Sequence, residues 1–416
     1  NDRQRLIDSG NEVINKLREA FASNPSSAQK LDPSVLDKAY SRIASQYDEE
    51  NKGFGAAPKF PRPVTFNFLL RQMNRKGKSS TEGAEALSMT LETLDVMAKG
   101  GIHDHLGGGF HRYAVDKNWH VPHFEKMLYD QAQLTISYLE AYQITRKESY
   151  AEVARDILDY VLTDMTSPGG GFYSAEDADS VIEHGKPDHA EGAFYVWTPD
   201  EVKSLLGEEK ANWFNAMYGV VAGGNAPMGS DPHGEFKNKN ILIQRMDAAE
   251  VASKFKTSTE VVEEAIDEAR SKLKTIRDKR PRPHLDDKVI TAWNGLMISA
   301  FAKAGQALSD GGKYGQAAIK AASFIRDEMY DASHQTLYRI HRGKRSDIKG
   351  FLDDHAFMIQ GLLDLYETTF DIQWVEWAAK LQERQDALFL DTEHGGYFGT
   401  EANTSDILLR MKDDYD

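Results

Sequence analysis

Five histidines, His103, His105, His111, His120 and His123, fall within twenty-one residues, in the stretch GGIHDHLGGGFHRYAVDKNWHVPHFEKMLYDQ. Asp104, Arg112, Tyr113 and Trp119 stand among them. Imidazole titrates near neutrality, so such a cluster can carry general acid and base catalysis, hold a metal, or serve as hydrogen-bonded structure. A loop with three consecutive glycines, Gly107 to Gly109, buries little apolar surface and stabilises no helix, which makes it a place to look for chemistry. The HxH and HxxH spacings lack the glutamate motif of a zinc-binding helix, and no metal site is expected. The glycines run into FHRY, not GKS or GKT, so they point to a tight hairpin and not to a phosphate cradle.

Carboxylates offer a rival chemistry. Glu176 and Asp177 of FYSAEDADS, or Asp104 with Asp354, are candidates for the acid and base of an inverting glycoside hydrolase, which needs its two carboxyl groups about 6.5 to 9.5 Å apart.

The 416 residues carry a net charge of -15, which argues against nucleic acid as a partner, since a phosphate-tracking surface needs clustered Lys and Arg. There is no cysteine, so thiolate metal sites and thiol nucleophiles are excluded. No apolar run reaches the roughly 18 to 20 residues of a membrane span, and the start, NDRQRLIDSG, has no signal-peptide core. The expectation is a soluble chain, cytoplasmic or organellar, with no membrane partner.

These groups must be positioned by helices. Asp32 as N-cap and Pro33 in the first turn open one over residues 33 to about 51, and helical periodicity continues nearly throughout. A helix, a short link, a second helix and a glycine-aromatic turn recur from Asp130 to Tyr173, Trp293 to Tyr338 and Asp354 to Tyr397, spans of 43, 45 and 43 positions, and again from Pro63 to His111. A period of this size with two helices per unit means a solenoid or a ring of hairpins. The first helix of each unit is apolar around much of its circumference (FMIQGLLDLY, LMISAFAKAG) while the second is amphipathic (YAEVARDILDYV), which predicts an inner and an outer layer. The charged helix over 257 to 279 reads as a solvated excursion, and GNAPMGSDPHGEFKNKNIL as a loop over the mouth. Inner-to-outer links are short (TRKES, SDGGK, TFDIQ) and the return links long, so the long links and the N-termini of the inner helices share one mouth.

Superposing the units aligns Asp130 with Trp293 and Asp354, and, one position on, Gln131 with Asn294 and His355. All begin inner helices, where free backbone N–H groups and the helix dipole favour anions or ligand oxygens. Asp130 and Asp353 also fit as first-turn caps, and Trp293 fits equally as a stacking platform for a sugar or as packing.

The motifs APKFPRPV, GGIHDHLGGGFHRY, WHVPHFEKMLYDQAQL, FYSAEDADS, EGAFYVWT, PHLDDKVITAWNGLM, GFLDDHAF and LLRMKDDYD resemble the spermatogenesis-associated protein 20 family, with its bacterial YyaL members, from about residue 33 onward. The resemblance implies an all-α fold, an (α/α)6 toroid of the six-hairpin glycosidase and N-acylglucosamine 2-epimerase kind, with short β-hairpins in the mouth loops. It also implies a thioredoxin-like domain in the full-length protein, a partner for this chain. On that basis residues 1–32 are a linking helix and linker, and 33–416 the barrel, short of its final part. Toroids of this kind suggest a cofactor-independent sugar epimerase or isomerase acting on a small sugar or oligosaccharide. His355 would pair with His105, His111 or His123, Arg112, Asp104 and Asn294 would orient hydroxyls, Trp293 or Trp119 would stack, and Tyr113, Asp130, Asp177 and Asp353 complete the mouth. An inverting hydrolase using Glu176 or Asp354 is the alternative, and a non-catalytic sugar-binding or scaffold domain a third.

Overall fold

The computed structural model describes residues 2–21, 32–231, 234–402 and 407–412. Residues 22–31 of the expected linker and 413–416 of the last motif lie outside the described residues. The described residues form helices α1 (Asp2–Phe21), α2 (Ser34–Ala44), α3 (Pro63–Lys76), α4 (Thr81–Lys99), α5 (Leu128–Thr145), α6 (Glu148–Asp164) and α7 (Pro199–Leu206). Then follow α8 (Glu208–Tyr218), α9 (Ala248–Phe255), α10 (Thr259–Arg277), α11 (Thr291–Ala307), α12 (Gly312–Met329), α13 (Leu352–Thr369) and α14 (Gln373–Phe389), with strands of only two or three residues between them.

The four sequence units are four helical hairpins, α3/α4, α5/α6, α11/α12 and α13/α14. The first helices make a row: α5 packs against both α3 and α11, and α11 packs against α13. Composition explains which layer each helix joins. α5 and α11 are buried around their circumference, with Leu128, Ala132, Thr135, Tyr138 and Leu139 on one and Ala292, Met297, Ala300, Phe301 and Ala304 on the other. α6 buries only a stripe, Tyr150, Ala151, Ala154, Ile157, Leu158 and Val161, and leaves its other face wet. α11 and α13 approach closely because each contributes a glycine at the crossing. A Cβ on Gly295 would lie 2.5 Å from the Phe357 carbonyl oxygen, and one on Gly361 2.5 Å from the Gly295 carbonyl oxygen. This is a double-layered α/α toroid architecture, of which the described residues build four hairpins where the resemblance implies six.

Two expectations are corrected. α2 ends at Ala44, not near residue 51, because Tyr47 bridges to Phe54 and the Asp48 carboxylate accepts from the backbone N–H groups of Glu50 and Asn51, turning the chain. The charged helix α10 is not merely solvated. With α7 to α9 it encloses a second core of Trp197, Phe214, Val251, Val262, Ile266 and Leu273, inserted between the second and third hairpins.

The long links do converge. Strands Lys126–Met127, Ala175–Glu176 and Leu285–Asp286 form one antiparallel sheet, with Lys126 opposite Glu176 and Glu176 opposite Leu285. It joins the end of the His-rich loop, the FYSAED turn and the PRPHLDDK segment at the N-termini of α5 and α11. A second small sheet ties Val289–Ile290, directly before α11, to Ile340–Arg342.

Candidate active site at the mouth

The units repeat a local device at the start of each inner helix. Gln131 accepts from Phe110 N–H at 2.8 Å and donates to the Phe110 carbonyl at 2.6 Å. Asn294 does the same to Phe172, at 2.8 and 3.0 Å. Each also donates to the carbonyl four residues back, Met127 for Gln131 and Ile290 for Asn294, and the third equivalent, His355, makes that bond from Nδ1 to Phe351 O at 2.9 Å. Gln131 and Asn294 therefore clamp the glycine-aromatic turn of the preceding unit. Both amide protons and the carbonyl oxygen of Asn294 are in use and the side chain is fully buried, so it does not orient substrate hydroxyls as expected.

Most of the expected histidines also face inward. His111 is 2% exposed, donates from Nδ1 to Phe124 O at 2.9 Å and lies edge-on to Phe124 and Tyr195; burial, reinforced by the Lys126 charge, holds its pKa well below the usual range. His105 donates from Nε2 to Gly100 O at 2.9 Å, and burial, with His103 beside it, pushes it down to about 3. His355 is 1% exposed against Phe389, and burial again lowers its pKa. None of these three faces the mouth as an ionisable pair member. Trp119 is likewise not a stacking platform: it is 1% exposed, donates from its indole to Lys52 O at 3.1 Å, and packs so tightly on Gly53 that a Cβ there would lie 2.6 Å from the ring.

Two expected carboxylates are committed to ion pairs and caps. Asp104 accepts two bonds from Arg277, at 2.6 and 3.0 Å, and one from Lys126 at 2.9 Å. Burial alone would raise its pKa, but the Arg277 and Lys126 charges overrule that and hold it well below the ordinary range. Asp354 accepts from Phe351 N–H at 2.8 Å, Ala292 N–H at 2.9 Å and Arg339 at 2.6 Å. Burial first, and Asp353 second, still push it up to about 6. Asp353 shares the Arg339 guanidinium at 2.9 Å.

What does open to the mouth is a cavity of about 380 Å³, lined by Glu125, Glu176, Asp177, His284, Asp286 and Trp293, with Lys288 paired to Asp286. Glu176 forms its inner wall, 3% exposed, accepting from Tyr160 Oη at 2.6 Å and from Arg282 at 3.2 Å. Asp177 is exposed, bonded through Oδ1 to Ala178 N–H. Trp293 is half-buried and meets Tyr129 edge to face, with ring centres 5.0 Å apart.

Close to Glu125 of this lining lies a buried carboxyl, Asp130. Asp130 is 7% exposed, and its Oδ2 has no hydrogen-bond partner. Burial raises its pKa well above the carboxylate range, against the pull of Arg112 and with a push from Glu125, which favours the protonated carboxyl. Arg112 is paired with Glu125 at 2.9 Å. Glu125 also lies 3.8 Å from His123 Nε2, while His123 Nδ1 is 2.8 Å from Glu191. The Glu191 bond is the main reason the His123 pKa is raised. Tyr113 stacks between His123 and Phe60, at 4.9 and 4.7 Å. Of the expected residues, then, His123, Arg112, Tyr113, Asp130, Asp177, Trp293 and Glu176 gather at or beside the mouth. Glu125, Tyr129, His284 and Glu191 were missed, although the HFEKMLYD run held three charged groups directly before an inner helix. Among the described residues no group of three or more His, Cys, Asp or Glu side chains is arranged to hold a metal ion.

Two layers of helices with a polar, carboxyl-lined mouth at the N-termini of the inner layer define an α/α-toroid protein. The chain belongs to the spermatogenesis-associated protein 20 family: it is 44% identical to that protein of Mus musculus over 91% of this chain and 50% of the relative, and 42% identical to that of Homo sapiens over 93% and 52%. The chain thus spans about half the length of these curated relatives. No family model matches. Similar solved structures include cellobiose 2-epimerase from Bacillus thermoamylovorans, at 14% identity and TM-score 0.35 over 94% of this chain and 92% of that one. A family 76 glycoside hydrolase (mannosidase) from Bacteroides thetaiotaomicron is similar at 10% identity and TM-score 0.47, over 86% and 72%. No helix of the described residues is long and apolar enough to cross a membrane.

Proposed function

We propose that the mouth binds a small sugar and transfers a proton on it, as an epimerase or isomerase without a cofactor. The observation that carries this reading is the buried Asp130 carboxyl, its Oδ2 without a hydrogen-bond partner, beside the Arg112–Glu125 ion pair. A carboxyl whose pKa burial raises can hold a proton and donate it to a sugar carbonyl oxygen. His123, made more basic by Glu191, takes the proton from the adjacent carbon, leaving an enediol. Delivery of the carbon proton to the opposite face of the same carbon, with the oxygen proton returned to Asp130, gives the epimer; delivery to the former carbonyl carbon, with the neighbouring hydroxyl proton passing to Asp130, gives the isomer. Trp293 and Tyr129 supply an aromatic wall for the apolar face of the ring. The expected catalytic pair is thereby revised: His123 is kept, and Asp130 takes the place of His105, His111 and His355, whose rings are bonded to backbone carbonyls.

The raised pKa of Asp130 also supports a second reading, inverting hydrolysis with Asp130 as acid and Asp177 or Glu125 as the base carboxylate. One assay separates the two. Glucose, mannose, N-acetylglucosamine and their β-linked disaccharides are incubated in D2O and followed by NMR. Loss of the C2 proton signal, reduced at least about 100-fold by Asp130→Asn and by His123→Gln, is expected. Release of new reducing ends without C2 exchange would replace the epimerase reading with the hydrolase, and neither reaction with any sugar would overturn both.

A further inference from the structure

We infer that the chain carries a second ligand site, a cleft on the outside of the hairpin layer that takes a neutral, hydroxyl-rich molecule. The cleft has a volume of about 720 Å³, within the range of small-molecule sites, and shares no lining residue with the mouth cavity. One wall is the end of α4 and the first half of α6, and the other is the inserted helices α8 and α10. His103 and His105 form part of its lining, so the His-rich loop presents two of its imidazoles here and not at the mouth.

This lining is built. His103 is fixed from both ring nitrogens, 2.9 Å from Ala98 O and 2.8 Å from Asp156. Asp156 also accepts from Gly109 N–H at 3.1 Å, and Arg270 donates to His105 O at 3.0 Å, so the loop is tied to both walls. Tyr150 is 2% exposed, and its hydroxyl has no hydrogen-bond partner of normal distance and angle. Burial chiefly, and a bond to Asp95 on the same wall, raise its pKa, so the phenol stays protonated and its proton is turned to Asp95, which itself lines the cleft.

The charges choose the ligand. Asp95, Glu152, Asp156 and Asp267 face Lys99, Lys147 and Arg270, so neither sign is in excess enough to hold a phosphate or an ammonium. Only Ala98 and Val153 are aliphatic, which removes the apolar walls that a lipid or a hydrophobic peptide needs. Alternating carboxylates, cations, phenols and the Gln244 amide match the paired donors and acceptors of adjacent hydroxyl groups.

The probes are D-glucose, D-mannose and myo-inositol, with inorganic phosphate and acetate as charged controls, read by backbone hydrogen exchange and by saturation-transfer NMR. Expected is sugar- or inositol-dependent protection across residues 147–156 and 264–272 that persists in Asp130→Asn, because the mouth is not involved. Tyr150→Phe, which keeps the ring but removes the hydroxyl that positions Asp95 on this wall, should weaken this binding about fivefold, the worth of one hydrogen bond. Asp267→Ala and Lys147→Ala, both at exposed positions, should weaken it further without unfolding the protein. Protection confined to the mouth segments 123–130 and 284–294 would overturn this site while sparing the mouth reading. Absence of protection with all three polyols, stronger protection by phosphate or acetate, or unchanged affinity in Tyr150→Phe and Asp267→Ala would each overturn it as well.

Discussion

Arg277, at the last turn of α10, grips the Asp104 carboxylate with two guanidinium nitrogens at 2.6 and 3.0 Å, across 173 positions of chain. Both side chains are 4% exposed, and Lys126 joins them at 2.9 Å while lying 4.1 Å above the Tyr160 ring. This triad locks the inserted helices, the His-rich loop and the mouth sheet together. Arg277→Met would leave Asp104 with one cation in a dry site, and breaking such a buried pair costs about 3 to 5 kcal/mol. Urea unfolding should show that loss, and Arg277→Lys should recover little of it, because an ammonium cannot make the two parallel bonds. Wild-type stability in Arg277→Met would refute the role.

The repeated clamp predicts a matched pair of variants. Gln131→Leu and Asn294→Leu each strand a buried backbone N–H and C=O, of Phe110 and Phe172 respectively, at about 1 to 3 kcal/mol per unsatisfied group. Both should lower Tm by similar amounts. The mouth's affinity for any sugar it binds should stay within about twofold of wild type, since neither amide reaches the cavity; a large selective loss of binding in Asn294→Leu would show that the amide contacts ligand after all.

These clamps show how far the sequence could be read. The period aligned Gln131 with Asn294 and His355, and the hairpins, the two layers and the shared mouth all follow from that period and from which helices are apolar all round. The partner of Asp104 was not legible, because Arg277 sits on an insertion that interrupts the period. The facing of the histidines was not legible either. His123 ends a strand of two residues and His111 lies just ahead of another, and nothing local tells His111, which is buried, from His123, which is half-buried. Asp130 was legible as a first-turn carboxylate but not as one of raised pKa, since that depends on burial by elements distant in sequence.

Asp354 gives a pH-dependent prediction with a definite sign. Its folded pKa, about 6, lies above the ordinary 3.8, so the folded state favours the protonated form. The stability this contributes is fully present below about pH 4 and is lost as pH rises through 6, a change of about 3 kcal/mol. Asp354→Asn cannot titrate. The stability of wild type relative to that variant should therefore climb as pH falls from 7 to 4, measured by urea unfolding at each pH. A flat difference would mean that Arg339 offsets the burial completely.

His123 tests the electrostatics of the mouth itself. Its pKa is raised mainly by the bond to Glu191, so Glu191→Gln, which keeps the shape but removes the charge, should lower it. The imidazole proton signals followed by NMR from pH 5 to 9 would report the titration directly. The linkage runs with the same sign as for any raised imidazole: the Glu191–His123 contribution to stability is complete below about pH 6.5 and fades as pH rises through the folded value. If His123 is the base of the mouth reaction, kcat/KM falls as pH drops through that same pKa, and Glu191→Gln moves the acid limb of the profile to lower pH by the shift seen in the NMR titration. An NMR shift without a matching movement of the profile would leave the Glu191–His123 pair as structure and pass the role of base to another group at the mouth.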